Sequence, residues 1–458
     1  MKKIHLLILS TLLSSGINTQ ALTLEEALVS SYNNNEQFKV TRSNFLADIE
    51  KFPRALSEFM PRISASSNIS TININRTKDS IPSSGSDNIS ADTTKNTIGF
   101  SVVQPIFNGW SSVAALKSAQ ASFLAARSEF YKKEQDIILD TIDKYLNCIV
   151  FKEKYEIAQK SVASNKTQLE AMQEKYKQGE ATITDVASSQ EAYATSEANL
   201  SFALARYEAS KATFTQFTDL IAEDLIMPEI PSNVAEELEQ LQMLTTQQNL
   251  EIDNAKNKII AAKADNMAAK GQLLPDVNFR IDAEKSFYTQ QTSNNGNINN
   301  KRVISSLGVH IPIFAKGGAE YSDVRRSYQG YKIAIAALDA TIKQINALCV
   351  AYLSEFISSK KRIEASIEAV RASELAYDGM VQEEKLGSKT IIDVLIAEKR
   401  LNDARENLAD SRKAVIIAAY KIKSLTGDLT ARAIKLPVEY FTPEREFHKL
   451  KRKIVSFK

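Results

Sequence analysis

Large hydrophobic residues recur every seven positions along two segments of this 458-residue chain. They are Val186, Tyr193, Leu200, Tyr207 and Phe214 in the first segment, and Val394, Leu401, Leu408, Val415 and Ile422 in the second. Small residues stand opposite them at Ser189, Ser196, Ala203 and Ser210, and at Ala397, Ala404, Ser411 and Ala418. A heptad in which large residues face small ones predicts helices that pack closely and supercoil in the left-handed sense.

The same eight-residue pattern, G-x-x-T-I-x-D-V, opens both heptad segments. Its first copy spans residues 179–186 and its second copy spans residues 387–394. Because the heptads that follow have the same register, the chain is predicted to be an internal duplication of a helix–turn–helix hairpin, with the octet at the turn.

Very long helices are predicted to lead into both octets, from about 110 to 177 and from about 318 to 385. At 1.5 Å per residue each would be roughly 100 Å long. Further helices are predicted at 22–60, 183–217 and 246–272, and from the second octet to Leu425. Pro53 is expected to kink the first of these helices and Pro61 to end it.

Four segments show the period-two alternation that is typical of strands, less cleanly in the first half of the chain than in the second. They lie at 62–77 and 97–109 in the first half and at 276–284 and 302–313 in the second, separated by polar stretches at 78–94 and 289–300 that predict loops. Each half therefore reads helix, strand, loop, strand, very long helix, turn, helix. The expected total is four strands and six helices.

The strands allow two interpretations. One is an ordinary antiparallel sheet with one face in water. The favoured alternative is a membrane sheet, because strands of about ten residues cross a bilayer when tilted. Arg280, Asp282 and Glu284 would then line a lumen while the opposite apolar face meets lipid. Four strands cannot close a barrel and lipid does not tolerate an open edge, so several chains must contribute. Three chains would supply twelve strands.

The N-terminus resembles a secretory signal. Lys2 and Lys3 precede an apolar stretch over 4–13, and a small-x-small sequence ends at Ala21. An apolar first helix of a cytosolic protein is the alternative.

Removal of residues 1–21 leaves 55 basic and 55 acidic residues. A net charge of zero gives no basic surface for nucleic acid. Beyond residue 21 no unbroken run of 18 apolar residues occurs, so no transmembrane helix is expected.

Reactive residues are scarce. Cys148 and Cys349 could pair, but buried free thiols are favoured because nothing else indicates a disulfide scaffold. The chain has three His, and it lacks a Gly-rich phosphate loop, metal-ligand spacing and a nucleophile motif. No enzyme activity, cofactor or metal is therefore expected.

Several short motifs occur in a fixed order along both halves. They are Leu24-Glu25-Glu26-Ala27-Leu28, Met60-Pro61-Arg62-Ile63, Gln104-Pro105-Ile106-Phe107-Asn108-Gly109, Leu274-Pro275, Ile311-Pro312-Ile313-Phe314 and both octets. In this order the chain resembles the TolC-type outer-membrane efflux and secretion channels of Gram-negative bacteria, over essentially the whole mature length.

The resemblance implies a mainly α protein with a membrane β-barrel. Three copies would share a 12-stranded barrel in outer-membrane lipid, and duplicated helical hairpins would form a periplasmic tunnel. The homotrimer would dock a periplasmic adaptor that links it to an inner-membrane pump or ABC transporter, and it would act as a passive conduit. The expected divisions are a signal peptide at 1–21, a first repeat at 22–231, a second repeat at 232–426, and a C-terminal equatorial segment with a basic tail at 427–458.

The resemblance also assigns roles to the octets, which lie at the periplasmic hairpin tips of the family. The turn residues implied for adaptor docking are Gly179, Thr182, Gly387 and Thr390. Asp393 matches an acidic ring at the aperture, whereas the position of a second ring is Ile396. Lys389 and Asp185 match a latch between hairpins, and Glu384 replaces a Tyr that often assists it.

Two alternatives remain open at this stage. Thr182 with Asp185, and Thr390 with Asp393, also fit capping boxes at helix starts, which require no gate. The whole chain could instead be a periplasmic or surface coiled-coil adhesin, although a coiled-coil stalk would not need the paired strands.

Overall fold

The computed structural model describes residues 21–76, 89–291 and 297–451. Over these ranges the chain forms ten helices and one four-stranded antiparallel sheet, so it is mainly helical. The proposed signal segment up to residue 20 and the end of the basic tail lie outside the described residues.

The chain divides into two compact units, and each of them draws on both predicted repeats. The first contains the chain up to Val40 together with Lys133–Gln247 and Ile345–Tyr440. The second contains Thr41–Lys132, Gln248–Gln344 and the chain from Phe441.

Four long helices have bounds close to the predicted ones. They are α4 (Ser111–Lys177), α5 (Ile183–Thr218), α8 (Ala319–Lys385) and α9 (Ile391–Leu425). Six of the eight small heptad residues are buried, among them Ser189, Ser411 and Ala418, while Ala203 and Ala404 are half-buried. Small side chains at these positions let the helix backbones approach closely.

The prediction of one helix over 22–60 is wrong. The segment forms α1 (Leu24–Asn34), α2 (Glu36–Ile49) and α3 (Lys51–Ser57). Asn35 separates the first two, because its side-chain oxygen accepts the backbone N–H groups of Gln37 at 2.9 Å and Phe38 at 3.2 Å. An Asn that satisfies these amides starts a new helix there.

The second half has the same break. In place of one helix over 246–272, the structure has α6 (Leu238–Gln248) and α7 (Leu250–Gly271). The Asn249 side-chain oxygen accepts the N–H groups of Glu251 at 2.9 Å and Ile252 at 3.1 Å. The two asparagines thus occupy equivalent positions in the two halves.

The sheet belongs to the second unit and has the order β1-β2-β3-β4, with every pair antiparallel. Its strands are β1 (Arg62–Arg76), β2 (Ile89–Asn108), β3 (Asp276–Gln291) and β4 (Asn297–His310). β2, β3 and β4 extend into the stretches predicted as loops, so these strands are longer than expected. Residues 77–88 and 292–296 lie outside the described ranges.

One face of the sheet is apolar and exposed. In register across it lie the rows Ile63–Val102–Ile281 and Ala65–Phe100–Ala283–Val303. Val303 is 73% exposed, and its neighbours on this face, Leu307 and Val309, are 67% and 64% exposed. The opposite face carries Ser, Thr, Asn and charged residues. A sheet with an exposed apolar face requires a covering medium or partner.

The C-terminal segment contains a helix that the sequence did not predict. Pro443–Leu450 forms a helix, α10. Its Phe447 ring stacks on Phe123 at 3.8 Å between centroids and packs edge-on against Phe52 at 4.9 Å. These aromatic contacts hold α10 on the second unit.

One described helix, α8, contains an 18-residue window that is long and apolar enough to cross a membrane by composition, and only 11% of that window is buried in the single chain. The window admits up to two ionisable residues, so it need not be an unbroken apolar run. The expectation that the chain has no transmembrane helix stays a prediction, because this window qualifies by length and composition alone. α8 presents an apolar surface that the single chain leaves uncovered.

Candidate functional site at the hairpin tips

The first hairpin turns through a Schellman motif at the end of α4. The N–H of Glu180 donates to the carbonyl of Lys175 at 2.8 Å, and the N–H of Gly179 donates to that of Tyr176 at 3.0 Å. Gly179 has φ +81°, a left-handed conformation that is strained for residues with a Cβ atom.

The second hairpin repeats this turn at the end of α8. Ser388 N–H donates to the Glu383 carbonyl and Gly387 N–H to the Glu384 carbonyl, both at 2.9 Å, and Gly387 has φ +77°. The duplicated octet therefore encodes the same backbone hydrogen bonds twice.

Each turn is followed by a complete capping box. The N–H and hydroxyl of Thr182 donate to Asp185 Oδ2 at 2.9 and 2.6 Å, and the N–H of Asp185 donates back to the hydroxyl at 3.2 Å. For Thr390 and Asp393 the three distances are 3.0, 2.9 and 3.3 Å. Both aspartates therefore form the capping boxes that the sequence allowed as an alternative to a gate.

Capping lowers the pKa of both aspartates. The hydroxyl and then the backbone N–H of Thr182 lower the pKa of Asp185. The backbone N–H and then the hydroxyl of Thr390, followed by the nearby Lys389 ammonium, lower the pKa of Asp393. A carboxylate with a lowered pKa is ionised at neutral pH, so each tip carries a fixed negative charge.

An ion pair joins the two hairpins near their tips. The Lys175 ammonium, on α4, lies 2.6 Å from Glu384 Oε1, on α8, and the Glu384 side chain is only 16% exposed. Sequence reasoning singled out Glu384 but not its partner. Lys389 is exposed and, among the described residues of the single chain, makes no ion pair with Asp185. The predicted latch between them stays a prediction.

An apolar cluster lies beneath the tips. Its buried members are Met172, Ile391 and Val394, which belong to α4 and α9. Partly buried neighbours include Tyr377 and Met380 of α8. The cluster packs the first hairpin against the second, so movement of one hairpin relative to the other must disturb it.

Sequence reasoning missed a buried acid one helical turn farther from the tips than this cluster. Glu398 is 6% exposed, and its Oε2 accepts hydrogen bonds from Gln168 Nε2 at 2.8 Å and Ser164 Oγ at 3.1 Å. Tyr377 Oη lies 3.5 Å from that serine oxygen. Burial raises the pKa of Glu398, partly offset by the two donors. Its position one turn after Val394, on the buried face, was the signal that could have identified it.

A cleft of about 750 Å³ lies between α4, α5 and α9 in the same unit. Phe151, Phe202 and Ile392 form part of its apolar lining, and Ile396 also lines it. Charged side chains line it as well, among them Lys154 and Glu406. Ile396, the residue at the position of a second acidic ring, thus adds to the apolar lining of this cleft.

The predicted lumen residues share the polar face of the sheet. Arg280 Nε lies 2.7 Å from Asp282 Oδ2, and Lys95 Nζ lies 3.5 Å from Glu284 Oε1. Arg302 of β4 stands directly across from Glu284 in the strand register. The structure therefore brings these charges together as neutralising pairs.

Comparison with known proteins agrees with this architecture. A profile of the outer membrane efflux protein family matches residues 29–218 and 242–428. The chain belongs to this family. One matched stretch falls in each half of the duplication. The family places the protein in the outer membrane, from which it extends into the periplasm.

Individual relatives match over two thirds of the chain or more. The outer membrane efflux protein BepC of Brucella suis is 24% identical over 97% of this chain and 94% of its own. The outer membrane protein TolC of Vibrio cholerae is 24% identical over 71% of this chain and 75% of its own. The solved CmeC outer membrane channel of Campylobacter jejuni has a TM-score of 0.76 at 12% identity, covering 95% of this chain and 90% of that one. This family member is therefore an outer-membrane efflux or secretion channel protein.

Proposed function

We propose that three copies of this chain form the outer-membrane channel of a tripartite efflux or type I secretion system. One observation carries the proposal: the four-stranded sheet has an exposed apolar face and, among the described residues of the single chain, β1 and β4 pair on one side only. Exposed edges cannot remain unpaired in lipid. β1 of one copy therefore pairs with β4 of the next, and three copies close a barrel of twelve strands.

The exposed helix surface supports the same assembly. The apolar window of α8 is 11% buried in one chain, and neighbouring copies would cover it. Two hairpins from each copy then give six hairpins around a periplasmic tunnel, with all the octets at its mouth. Threefold symmetry would bring three Asp393 carboxylates close to one axis.

Such a ring sets the selectivity of the mouth. Three ionised carboxylates near one axis repel one another and attract cations, divalent ones most strongly. Lys175 with Glu384 would hold the two hairpins of one copy together. Lys389 with Asp185 would link hairpins of adjacent copies, since that contact does not form within the chain. Closure then requires both kinds of link.

The channel would be passive. A periplasmic adaptor would dock on the hairpin tips around Gly179, Thr182, Gly387 and Thr390, and an inner-membrane pump or ABC transporter would supply the energy. The charged pairs of the polar sheet face are compatible with small molecules and with unfolded proteins. The pump would choose between these cargoes.

Conductance in planar lipid bilayers tests this function. Protein extracted from the outer membrane as an SDS-resistant trimer should give small, cation-selective steps that divalent cations block from the periplasmic side. A folded trimer without conductance would overturn the channel proposal and favour a surface or periplasmic structural protein.

A further inference from the structure

Two lysines stand side by side on the apolar face of the sheet. Lys285 of β3 is directly opposite Lys301 of β4 in the strand register. They belong to the same face as Ala283 and Val303, which form the next row toward the long helices. Both lysines are exposed.

The two opposed lysines repel each other, and an anionic ligand bound to both would remove this repulsion. Like charges directly opposite each other destabilise a strand pair. Among the described residues neither lysine makes an ion pair. The adjoining rows of this face contain no acid, since they hold Ala65, Phe100, Ala283 and Val303 on one side and Ile69, Asn96, Phe287 and Asn299 on the other. Two ammonium groups therefore share a surface without a counter-charge.

The pair lies at the depth of lipid headgroups. Lys285 is about 26 Å along β3 from Val277, at roughly 3.3 Å per residue. At the usual tilt of about 40° this is roughly 20 Å of height, close to the top of an apolar band about 25 Å tall. The long helices α4 and α8 follow the ends of β2 and β4 that lie away from the two lysines. Because the proposed tunnel of long helices lies in the periplasm, the lysine pair faces the outer leaflet.

Neighbouring side chains complete a polar rim. The Lys285 ammonium lies 4.6 Å from the centroid of the Phe287 ring, a cation–π contact that orients it. Asn96 and Asn299 are in register with Phe287 on the same face. Amide groups beside two ammonium groups suit a headgroup that carries both phosphate and sugar oxygens.

We propose that Lys285 and Lys301 bind a phosphate group of a phosphorylated glycolipid, of the lipopolysaccharide type, in the outer leaflet. The trimer would carry three such sites. The proposal rests on the proposed function, which turns this face toward lipid. Two lysines provide point charges for a phosphate, and the amides next to them hydrogen-bond to the sugar.

Native mass spectrometry and thermal shift of the purified trimer test the site. The variant is Lys285→Gln with Lys301→Gln, and the matched control is Lys256→Gln with Lys263→Gln, two exposed lysines of α7. Phosphorylated lipid A should bind the native trimer and the control equally. The test variant should bind it roughly 30-fold more weakly, as expected for two lysines at an anionic surface.

Three further probes identify the headgroup. Dephosphorylated lipid A, phosphatidylglycerol and inorganic phosphate should each raise the apparent Tm of the native trimer less than phosphorylated lipid A does. Equal binding of phosphatidylglycerol would overturn the assignment to a glycolipid. Equal lipid A binding by the test variant would overturn the site. Conductance of the same samples tests the proposed function separately from lipid binding. The test variant should bind lipid A weakly but still form conducting trimers.

Discussion

The carboxylates of Asp185 and Asp393 perform one local task in the same way. Each accepts the N–H and hydroxyl of the threonine three residues earlier, and those hydrogen bonds lower the pKa of each carboxylate. The difference between them arises only in the assembly, where the proposal brings three copies of Asp393 to the axis. A gate role and a capping role can therefore be separated by experiment.

Asp393→Asn should raise single-channel conductance and weaken divalent-cation block, because it removes charge from the mouth. Thr390→Ala removes the cap but keeps the charge, so it should cost about 1 kcal/mol of stability and preserve the block. Glu180→Gln removes a charge at the other tip outside the proposed latch and ring, so it is the control and should leave the block intact. Block that is unchanged in Asp393→Asn, measured in planar bilayers, would remove this residue from the gate.

Glu398 makes stability near the tips depend on pH. Its pKa is raised in the folded state, so the fold favours the protonated form. The stabilisation of the folded state by protonated Glu398 is fully present below the unfolded pKa of about 4.3. It is lost as pH rises through the folded pKa. Ionised Glu398 therefore destabilises the folded state at neutral pH.

Glu398→Gln should raise the apparent Tm at pH 7–8, and this gain over the native protein should shrink toward pH 4. The amide oxygen can still accept hydrogen bonds from Ser164 and Gln168. Glu383→Gln, at an exposed position of α8, is the control and should show no such trend. Thermal melts across this pH range provide the measurement, and a gain independent of pH would contradict the account.

At the scale of elements, the two hairpins are coupled by few groups. The Lys175–Glu384 ion pair connects α4 to α8, and the cluster of Met172, Ile391 and Val394 lies beneath it. The ion pair is partly exposed, so its strength will fall as salt is added. It is a coupling that can be released without unfolding either helix.

Lys175→Glu should loosen closure and raise the conductance of the closed channel, because it places two carboxylates together. The exchange Lys175→Glu with Glu384→Lys should restore the native conductance. Lys177→Glu disrupts a pair with Glu174 inside α4 alone and should have little effect. A swap that fails to restore closure in bilayer recordings would argue against a latch at this pair.

The sequence predicts the long elements well and their interruptions poorly. Heptads, the octets and period-two alternation are repeated signals, so α4, α5, α8 and α9 and all four strands could be located. Asn35 and Asn249 break their helices through one side-chain oxygen each, and the apolar period continues across them. A helix break that depends on one Asn side chain cannot be predicted when the hydrophobic pattern continues through it.

Tertiary contacts explain the other omissions. α10 is an eight-residue helix, too short to be stable alone, and Phe447 holds it through stacking on Phe123. Glu398 appears in sequence as a polar residue beside Ala397, and only the packing of α9 against α4 buries it. The Lys175–Glu384 pair joins residues that are far apart in sequence, so their proximity could not be predicted from either hairpin.

At the scale of the whole molecule, the single chain is incomplete as a membrane sheet. Its apolar face is exposed and its edge strands each lack one neighbour within the described residues. The three-copy barrel satisfies both edges. The junction between β1 of one copy and β4 of the next is thus the central claim.

Disulfide cross-linking across that junction is the most direct test. With the two buried native cysteines replaced by alanine, Ser64→Cys on β1 is combined in turn with cysteine at four β4 positions of the same face: Arg302, Ile304, Ser306 and Gly308. Ser64→Cys with Ser101→Cys, which are register partners within the chain, is the control. Oxidation in outer membranes should give covalent trimers for at least one β4 position and only monomers for the control. Monomers at every β4 position, with the control pair oxidised, would contradict the shared barrel.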